Sequence, residues 1–375
     1  MSRAGSAQGA LGERRARLLL ARMGEPYDEW VQALVAEHGV EDLVGYALRD
    51  GRTPQGVRLD RLVGRRERAL EADDAHIARS LGARVLVPGD EEWPVEVDQL
   101  LAPPWCLWVR GPQRLDEVPG RSVAVVGARA CTAYGEHVTA QICVELAEKG
   151  FVVVSGAAYG IDAAAHRAAL AVDGRTVGVL AGGVDVPYPR ANSDLIARIG
   201  RVGALVSETP PGGAPARMRF LARNRLIAAL TTGTLVVEAA LRSGARTTVR
   251  HARELDRHVL AVPGPVSSLM SAGCHAEIRM GATLVTDAGE VAEAVGRIGD
   301  DLAPLKRGVV RDEDDLTEDL RRVWQWLRPR ASSSVDEVMV RSGLAVREVL
   351  SALGELEELG LAEQLLDGWR RRSAR

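Results

Sequence analysis

Glycine and arginine residues follow an apolar, β-branched segment near the middle of the sequence. Gly127 and Arg129 come directly after that segment, and Thr132, Tyr134 and Gly135 follow within a few residues. Glycine lets a backbone approach a ligand closely, and a helix that begins at such a turn offers free N–H groups to an anion. An arginine adds planar, charge-assisted donors. These residues predict a phosphate-binding loop.

Three more segments combine small, hydroxyl and arginine side chains beside a predicted strand or helix: Ser155, Gly156 and Gly160; Arg223, Asn224 and Arg225; Ser243, Gly244 and Arg246. A glycine loop alone could serve only packing. The arginines at 223 and 225, which we expect at a helix start, could instead form surface ion pairs at a solvated helix end. Because a single nucleotide needs only one or two such loops, four on one sheet edge predict a groove for several phosphates.

The charge of the chain is unevenly distributed, although the net charge is only −3. Between Arg217 and Arg257 there are nine arginines and three acidic residues, a local excess of +6. Residues 312–319 contain six acidic residues and no basic one. A GC-rich genome would also favour arginine over lysine. The location of the positive charge nevertheless favours an anionic partner for the central part of the chain.

Known nucleotide, metal and membrane signatures are missing from the sequence. Gly127 and Gly135 are too widely spaced for the dinucleotide fingerprint, and no P-loop GK[ST] occurs. The four cysteines lie far apart, without a CxxC pair, and no apolar run is long enough for a membrane span. We therefore expect no cofactor, no metal and no membrane contact. Scattered thiols are typical of a reduced, cytoplasmic protein.

Few residues favour catalysis. Asp162 and His166 are four positions apart and could form a dyad or only a local hydrogen bond, but no recognisable nucleophile accompanies them. Glu238 ends an apolar segment and is a candidate for a buried carboxylate. It could instead accept hydrogen bonds from nearby loop N–H groups or from Arg225. We expect a binding protein without catalytic residues.

The surrounding pattern predicts an α/β fold with a doubly wound, Rossmann-like parallel sheet. Short apolar segments alternate with amphipathic helical patterns such as 135–149, in which Val138, Ile142 and Leu146 share one face. In open parallel sheets, ligands bind outside the carboxyl ends of the strands, where the glycine- and arginine-bearing loops lie. The predicted strands are 122–126, 151–154, 176–180, 204–206, 234–237, 258–262 and 283–285.

The flanking segments predict further domains. Residues 1–80 have helical spacing, and 81–118 form a connecting segment rich in proline and tryptophan, whose indoles we expect to pack against a neighbour. The Rossmann-like domain spans 119–300 and an acidic linker 301–315. In 316–375, three helices and a hairpin predict a winged helix, with a capping box at Ser334 and Glu337.

The loop residues resemble the DprA (also called Smf) family of DNA-processing proteins. The resemblance covers the central domain as an ordered series: VGAR at 126–129, TxYG at 132–135, VSGAAYGID at 154–162 with His166, YPRAN at 188–192, SETPPG at 207–212, FLARNR at 220–225, VVEA at 236–239, SGART at 243–247 and AVPG at 261–264. The helical N-terminal part, the Pro/Trp segment and the winged helix also look like the additions found in this family.

The resemblance implies a protein that binds incoming single-stranded DNA during natural transformation, protects it, helps load RecA onto it, and forms a homodimer. The arginine of the family's GSR motif, which contacts DNA, corresponds to Arg129, with Ala128 in place of the serine. The lysine and aromatic residue that some members carry after the SE motif are absent from 209–213. Arg217 or Arg219 could compensate for them.

Two other functions remain open at this stage. A phosphoribohydrolase-like enzyme on a related fold would use Glu238, although its PGGxGTxxE motif is not present. A winged-helix regulator would bind duplex DNA, but residues 345–360 carry one arginine and four glutamates, which would repel a major groove. We therefore expect the winged helix to contact protein.

Overall fold

The computed structural model describes residues 4–297, 299–304 and 314–372. The chain divides into two compact units, Met1–Ala303 and Pro304–Arg375. The domain boundaries predicted within the first unit remain a prediction. Among the described residues, no helix has both the length and the apolar character needed to cross a bilayer.

The first unit contains a nine-stranded sheet with the order β1-β2-β6-β5-β4-β3-β7-β8-β9. Neighbouring strands from β3 to β9 are parallel, whereas β1 and β2 are antiparallel additions at the β6 edge. The strands are β1 Ala83–Leu86, β2 Leu107–Arg110, β3 Ser122–Val126, β4 Val152–Ser155, β5 Thr176–Val179, β6 Ala204–Ser207, β7 Gly233–Val236, β8 His258–Ala261 and β9 Thr283–Leu284. All seven predicted parallel strands are therefore confirmed, within two residues at each end.

Helices cover both faces of this sheet, as its uninterrupted apolar strands require. Along β3, Val123 and Val125 face one core and Ala124 and Val126 face the other. The helices of the first unit are α1 Ala4–Met23, α2 Glu29–His38, α3 Val40–Leu48, α4 Asp60–Val63, α5 Arg66–Glu71, α6 Asp74–Ser80, α7 Ala133–Glu148, α8 Ile161–Ala171, α9 Ser193–Val202, α10 Arg217–Ala229, α11 Ala245–Glu254, α12 Ala272–Arg279 and α13 Ala288–Val295. The predicted doubly wound fold is confirmed.

The order in which consecutive strands are added to the sheet reverses at β3. Strands β4, β5 and β6 extend from one side of β3, and β7, β8 and β9 extend from the other. The loops that follow β3 and β7 therefore diverge to opposite faces and leave a crevice between them. In doubly wound sheets this switch point is where ligands bind.

The Pro/Trp segment packs between the helical N-terminal part and the sheet. Trp105 and Trp108 are buried in one cluster with Leu20 and Leu43 of the N-terminal helices and with Ile199 of α9. The expectation that these indoles serve packing is confirmed. The structure adds that the segment is no mere connection, since it contributes strands β1 and β2.

The second unit has its own apolar core and the predicted winged-helix elements: α14 Glu318–Trp324, α15 Val335–Ser342, α16 Val346–Glu358, and the antiparallel pair β10 Ala362–Leu365 and β11 Gly368–Arg371. Ser334 caps α15 by accepting a hydrogen bond of 3.2 Å from the Glu337 N–H. Gly343 ends that helix with φ +74°, a left-handed conformation that favours glycine.

Candidate functional site

A cavity of about 450 Å³ opens at the switch point between β3 and β7. Residues of all four glycine- and arginine-bearing loops line it, so the sheet brings together segments that are more than a hundred residues apart in sequence. The lining residues used below are Gly127, Arg129, Asp162, Phe220, Arg223, Asn224, Ser243 and Gly244.

Arg129 lies exposed at this cavity and is free to bind an anion. Its side chain makes no hydrogen bond or ion pair with any described residue, and its Cζ atom lies 5.2 Å from the centroid of the Phe220 ring. The Tyr188 ring lies 5.5 Å from the Phe220 ring, and Tyr188 is 47% exposed. An unpaired guanidinium over one aromatic ring, with a second ring packed beside the first, suits a ligand that carries both phosphates and rings.

Arg223 lines the same cavity from the protein interior. It is 5% exposed, and its Nη1 donates a hydrogen bond of 2.7 Å to the Val179 carbonyl, while its Nε has no partner among the described residues. Burial, opposed by the nearby Asp162 carboxylate, lowers its pKa to about 10. Arg223 therefore remains charged at neutral pH, and the positive potential of the cavity does not depend on Arg129 alone.

Gly156 makes room for that guanidinium. A Cβ atom on Gly156 would lie 1.6 Å from Nη1 of Arg223, so no larger residue fits without displacing the arginine. Gly160 is constrained differently, because its φ is +72° and a Cβ there would lie 2.2 Å from the Ala128 carbonyl oxygen. The two glycines therefore allow the second loop to pack closely against Arg223 and against the first loop.

Arg225 requires a correction. It was expected to bind phosphate, but it is 1% exposed and its Nη2 donates to both carboxylate oxygens of Glu208, at 2.7 and 2.6 Å. The Tyr27 ring covers it, with Cζ 5.4 Å from the ring centroid. Arg225 therefore holds α10 to the loop after β6. Its Nε and Nη1 atoms have no partner among the described residues, but they are buried and do not reach the cavity.

The expected helix start at this segment is also wrong. Helix α10 begins at Arg217, with Ala216 as its N-cap residue, so Arg223 and Arg225 lie in its interior. Residues 220, 223, 224 and 227 have the three- and four-residue spacing of one helix face, and all four line the cavity. Placing the start correctly would have predicted Phe220 as a site residue and separated Arg225 from Arg223.

Thr132, Tyr134 and Gly135 support the first loop from behind rather than lining the cavity. The N–H and hydroxyl of Thr132 donate to the Glu238 carboxylate at 2.8 and 2.6 Å, and a Cβ on Gly135 would lie 2.3 Å from that carboxylate. Tyr134 donates its hydroxyl to the Pro263 carbonyl. Of the two partners considered for the Glu238 carboxylate, a loop N–H group is confirmed, that of Thr132, and Arg225 is wrong.

Other predicted ligands are also engaged within the protein. Ser155 is buried and donates to the Val125 carbonyl at 2.6 Å. Arg246 pairs with the buried Glu277 at 2.5 Å, and Asn224 donates weakly to the Gly244 carbonyl at 3.4 Å. Asn224, Ser243 and Gly244 nevertheless line the cavity. Ser155 and Arg246 do not line it, and their contacts instead stabilise the structure around it.

Asp162 and His166 do not form a dyad. The Asp162 carboxylate accepts from the N–H groups of Gly156 and Ala158, and His166 Nδ1 lies 2.7 Å from the Thr176 hydroxyl oxygen. Burial, with a contribution from the Arg223 charge, lowers the pKa of His166 to about 3. His166 is thus a neutral residue of the interior at physiological pH.

Arg217 and Arg219 differ in their availability. Arg217 is exposed at the start of α10, whereas Arg219 pairs with Glu25 at 2.9 Å and donates to the Ala214 carbonyl. Arg219 therefore connects α10 to the N-terminal helices, and of the two only Arg217 is unpaired within the described residues.

Comparison with known proteins identifies the family. The model of the family described as DNA recombination-mediator protein A matches residues 84–296, more than half of the chain, and the DprA winged helix domain matches 310–368. The chain belongs to the DprA family. The predicted resemblance is confirmed, and with it the general role of a DNA-processing protein.

Several DprA relatives cover most of the chain. DprA of Mycobacterium tuberculosis is 47% identical over 368 residues, which include 95% of this chain and 94% of the relative. The X-ray structure of DprA from Streptococcus pneumoniae covers 74% of this chain and 96% of its own, with 34% identity and a TM-score of 0.62. The structure of DprA from Helicobacter pylori, described as giving insight into its single-stranded DNA binding mode, covers 56% of this chain and 93% of its own, with 30% identity and a TM-score of 0.51.

Proposed function

We propose that this protein binds single-stranded DNA through the cavity at the β3/β7 switch point. The observation that carries the proposal is Arg129, an exposed, unpaired guanidinium held over the Phe220 ring at the mouth of a positively charged cavity. The H. pylori relative supports it, because its structure is described in terms of single-stranded DNA binding. Phosphates would contact Arg129, and unstacked bases would stack on Phe220 and Tyr188.

Binding would occur without chemistry on the strand. Asp162 is the carboxylate among the cavity-lining residues, and it is held by two backbone N–H groups. Glu238, which a phosphoribohydrolase-like reaction would need, is engaged by Thr132 and is not among the residues that line the cavity. These contacts favour a binding protein over an enzyme.

The test is a titration by fluorescence anisotropy with a labelled single-stranded oligonucleotide and the matching duplex at rising salt. Phosphate contacts predict a log–log slope of about −0.7 for each phosphate neutralised on a single strand. We expect tighter binding of the single strand and a steep loss of affinity with salt. Equal affinity for the duplex, or affinity independent of salt, would contradict the proposal.

We further propose that the bound strand is protected and passed to RecA during natural transformation, and that the protein acts as a homodimer. The match to a recombination-mediator family supports this role. The protein should shorten the lag before RecA assembles on single-stranded DNA, and sedimentation at several concentrations should show reversible self-association. An unchanged lag would contradict the loading role without affecting DNA binding.

A further inference from the structure

A second cavity of about 330 Å³ lies between the N-terminal helices and the loop that follows β6. Its lining combines residues 209–213 of that loop with four arginines: Arg22, Arg65, Arg68 and Arg219. Arg22 comes from α1, Arg65 and Arg68 come from the α5 region, and Arg219 comes from the first turn of α10. Parts of the chain that are distant in sequence therefore bring guanidinium groups to one place.

The ion pairs of this second cavity leave it positively charged. Arg22 pairs with Asp74 at 2.6 Å, and that pair is largely buried. Arg65 and Arg219 share one carboxylate, that of Glu25, at 2.6 and 2.9 Å. Arg68 is exposed and has no hydrogen bond or ion pair with any described residue. Four guanidinium groups therefore face two carboxylates.

Helix α10 contributes residues to both cavities. Arg219 lines the second cavity, and the next residue, Phe220, lines the first. The loop after β6 and the loop after β3 both follow carboxyl ends of parallel strands, so they lie on the same edge of the sheet. Arg217, exposed in the first turn of α10, adds a charge to this stretch of surface.

We propose that the N-terminal helices provide a second phosphate-binding groove, so that a single strand leaving the first cavity crosses the start of α10 and contacts Arg65 and Arg68. The proposal rests on the proposed function, since it extends the path of the same ligand. It assigns DNA binding to a part of the chain that lies outside the loops of the sheet.

Glu25 acts as an internal competitor in this groove. Its carboxylate occupies donors of Arg65 and Arg219 that would otherwise suit a phosphate oxygen. Although burial raises the pKa of Glu25, the hydrogen bonds and charges of Arg219 and Arg65 outweigh that effect and lower it. The competitor is therefore ionised at neutral pH, and a strand phosphate must displace it from Arg65.

The experiment compares two labelled oligothymidylates, one of about six nucleotides that fills only the first cavity and one of about twenty that spans both. The variant Arg65→Glu plus Arg68→Glu should weaken binding of the long strand about tenfold or more. Its salt slope should become shallower by about 1.4, because two phosphate contacts are lost. Binding of the short strand should stay within about twofold of the wild type. The matched control, Arg58→Glu plus Arg79→Glu, changes the charge of the same N-terminal part by the same amount at exposed residues that do not line the groove.

A second variant tests the proposal by a gain of affinity, which misfolding cannot imitate. Glu25→Gln removes the competing charge and should tighten binding of the long strand severalfold, with little effect on the short one. Unchanged long-strand affinity in either variant, or equal weakening of both strands by the arginine variant, would overturn the second groove. If instead Arg129→Glu left both strands bound as in the wild type, the proposed function itself would fail, so the two failures are distinguishable.

Discussion

Two arginines of the central domain, Arg129 and Arg225, have opposite environments, although the sequence predicts a phosphate-binding role for both. Arg129 is exposed, has no ion-pair partner among the described residues, and lies over the Phe220 ring. Arg225 is 1% exposed and paired with Glu208. Arg129 can therefore bind a ligand or be replaced at little cost in stability. Arg225, in contrast, stabilises the fold that positions the ligand site. Their substitutions should therefore affect different measurements.

The largest expected effect belongs to the interior arginine. Arg225→Met should lower the free energy of unfolding by about 3–5 kcal/mol, because it leaves the buried Glu208 carboxylate without its partner. Denaturant unfolding measures this change. Arg129→Met, the matched control, should change the unfolding free energy by less than about 0.5 kcal/mol.

Two further results would sharpen this prediction. Adding Glu208→Gln to Arg225→Met should recover part of the stability, because the unpaired buried charge is removed. The loss in Arg225→Met should also shrink as pH falls, because burial raises the pKa of Glu208 and the unpaired carboxyl then takes up a proton. A loss in Arg129→Met as large as that in Arg225→Met would break the comparison.

The second prediction concerns the pH dependence of the interior. His166 has a pKa near 3 in the folded protein, mainly because of burial, and about 6.5 when unfolded. Between pH 6.5 and pH 3 the unfolded chain binds a proton at His166 and the folded protein does not. The free energy of unfolding is therefore unaffected by His166 above pH 6.5 and decreases as pH falls from 6.5 toward 3. Its contribution to the slope approaches about 1.4 kcal/mol per pH unit.

The variant His166→Gln isolates this contribution. Its unfolding free energy, measured between pH 7 and about pH 4, should fall less steeply with acid than that of the wild type. Single-stranded DNA binding at pH 7 should be unchanged, since His166 is buried and does not line the cavity. Parallel pH profiles for the two proteins would show that His166 is protonated in the folded state after all.

The third prediction concerns the exposed side of the comparison. Tyr188→Ala removes a ring that is 47% exposed beside Phe220 and should weaken single-stranded DNA binding by about 1 kcal/mol, roughly fivefold, through lost base stacking. Tyr188→Phe keeps the ring and should bind as the wild type does. Anisotropy at fixed salt measures both, and the salt slope should not change, because stacking neutralises no phosphate.

Sequence patterns predicted the frame of the protein better than the roles of single side chains. The parallel strands and the winged helix follow from local periodicity, turn residues and caps such as Ser334, which act over a few residues. The convergence of the four loops followed from a general property of parallel sheets. These features need no knowledge of distant partners.

Roles that depend on distant partners could not be read in the same way. Arg225 is buried because Glu208 and Tyr27, from other parts of the chain, meet it in the fold. Thr132 is likewise engaged by Glu238, more than a hundred residues away. Only the spacing of Phe220, Arg223 and Asn224 along α10 carried an unused local signal, which required the helix start at Arg217.

The salt-dependent binding of an Arg129 variant tests the central claim most directly. Arg129→Glu should weaken single-stranded DNA binding at least about tenfold, or 1.4 kcal/mol, and make the salt slope shallower by about 0.7, with the stability unchanged. The matched control is Arg175→Glu, an equal charge change at an exposed residue. Arg175 directly precedes β5 and therefore lies at the amino ends of the parallel strands, away from the loops that line the cavity. We expect the control to bind single-stranded DNA nearly as well as the wild type does. Equal binding by both variants and the wild type would contradict it.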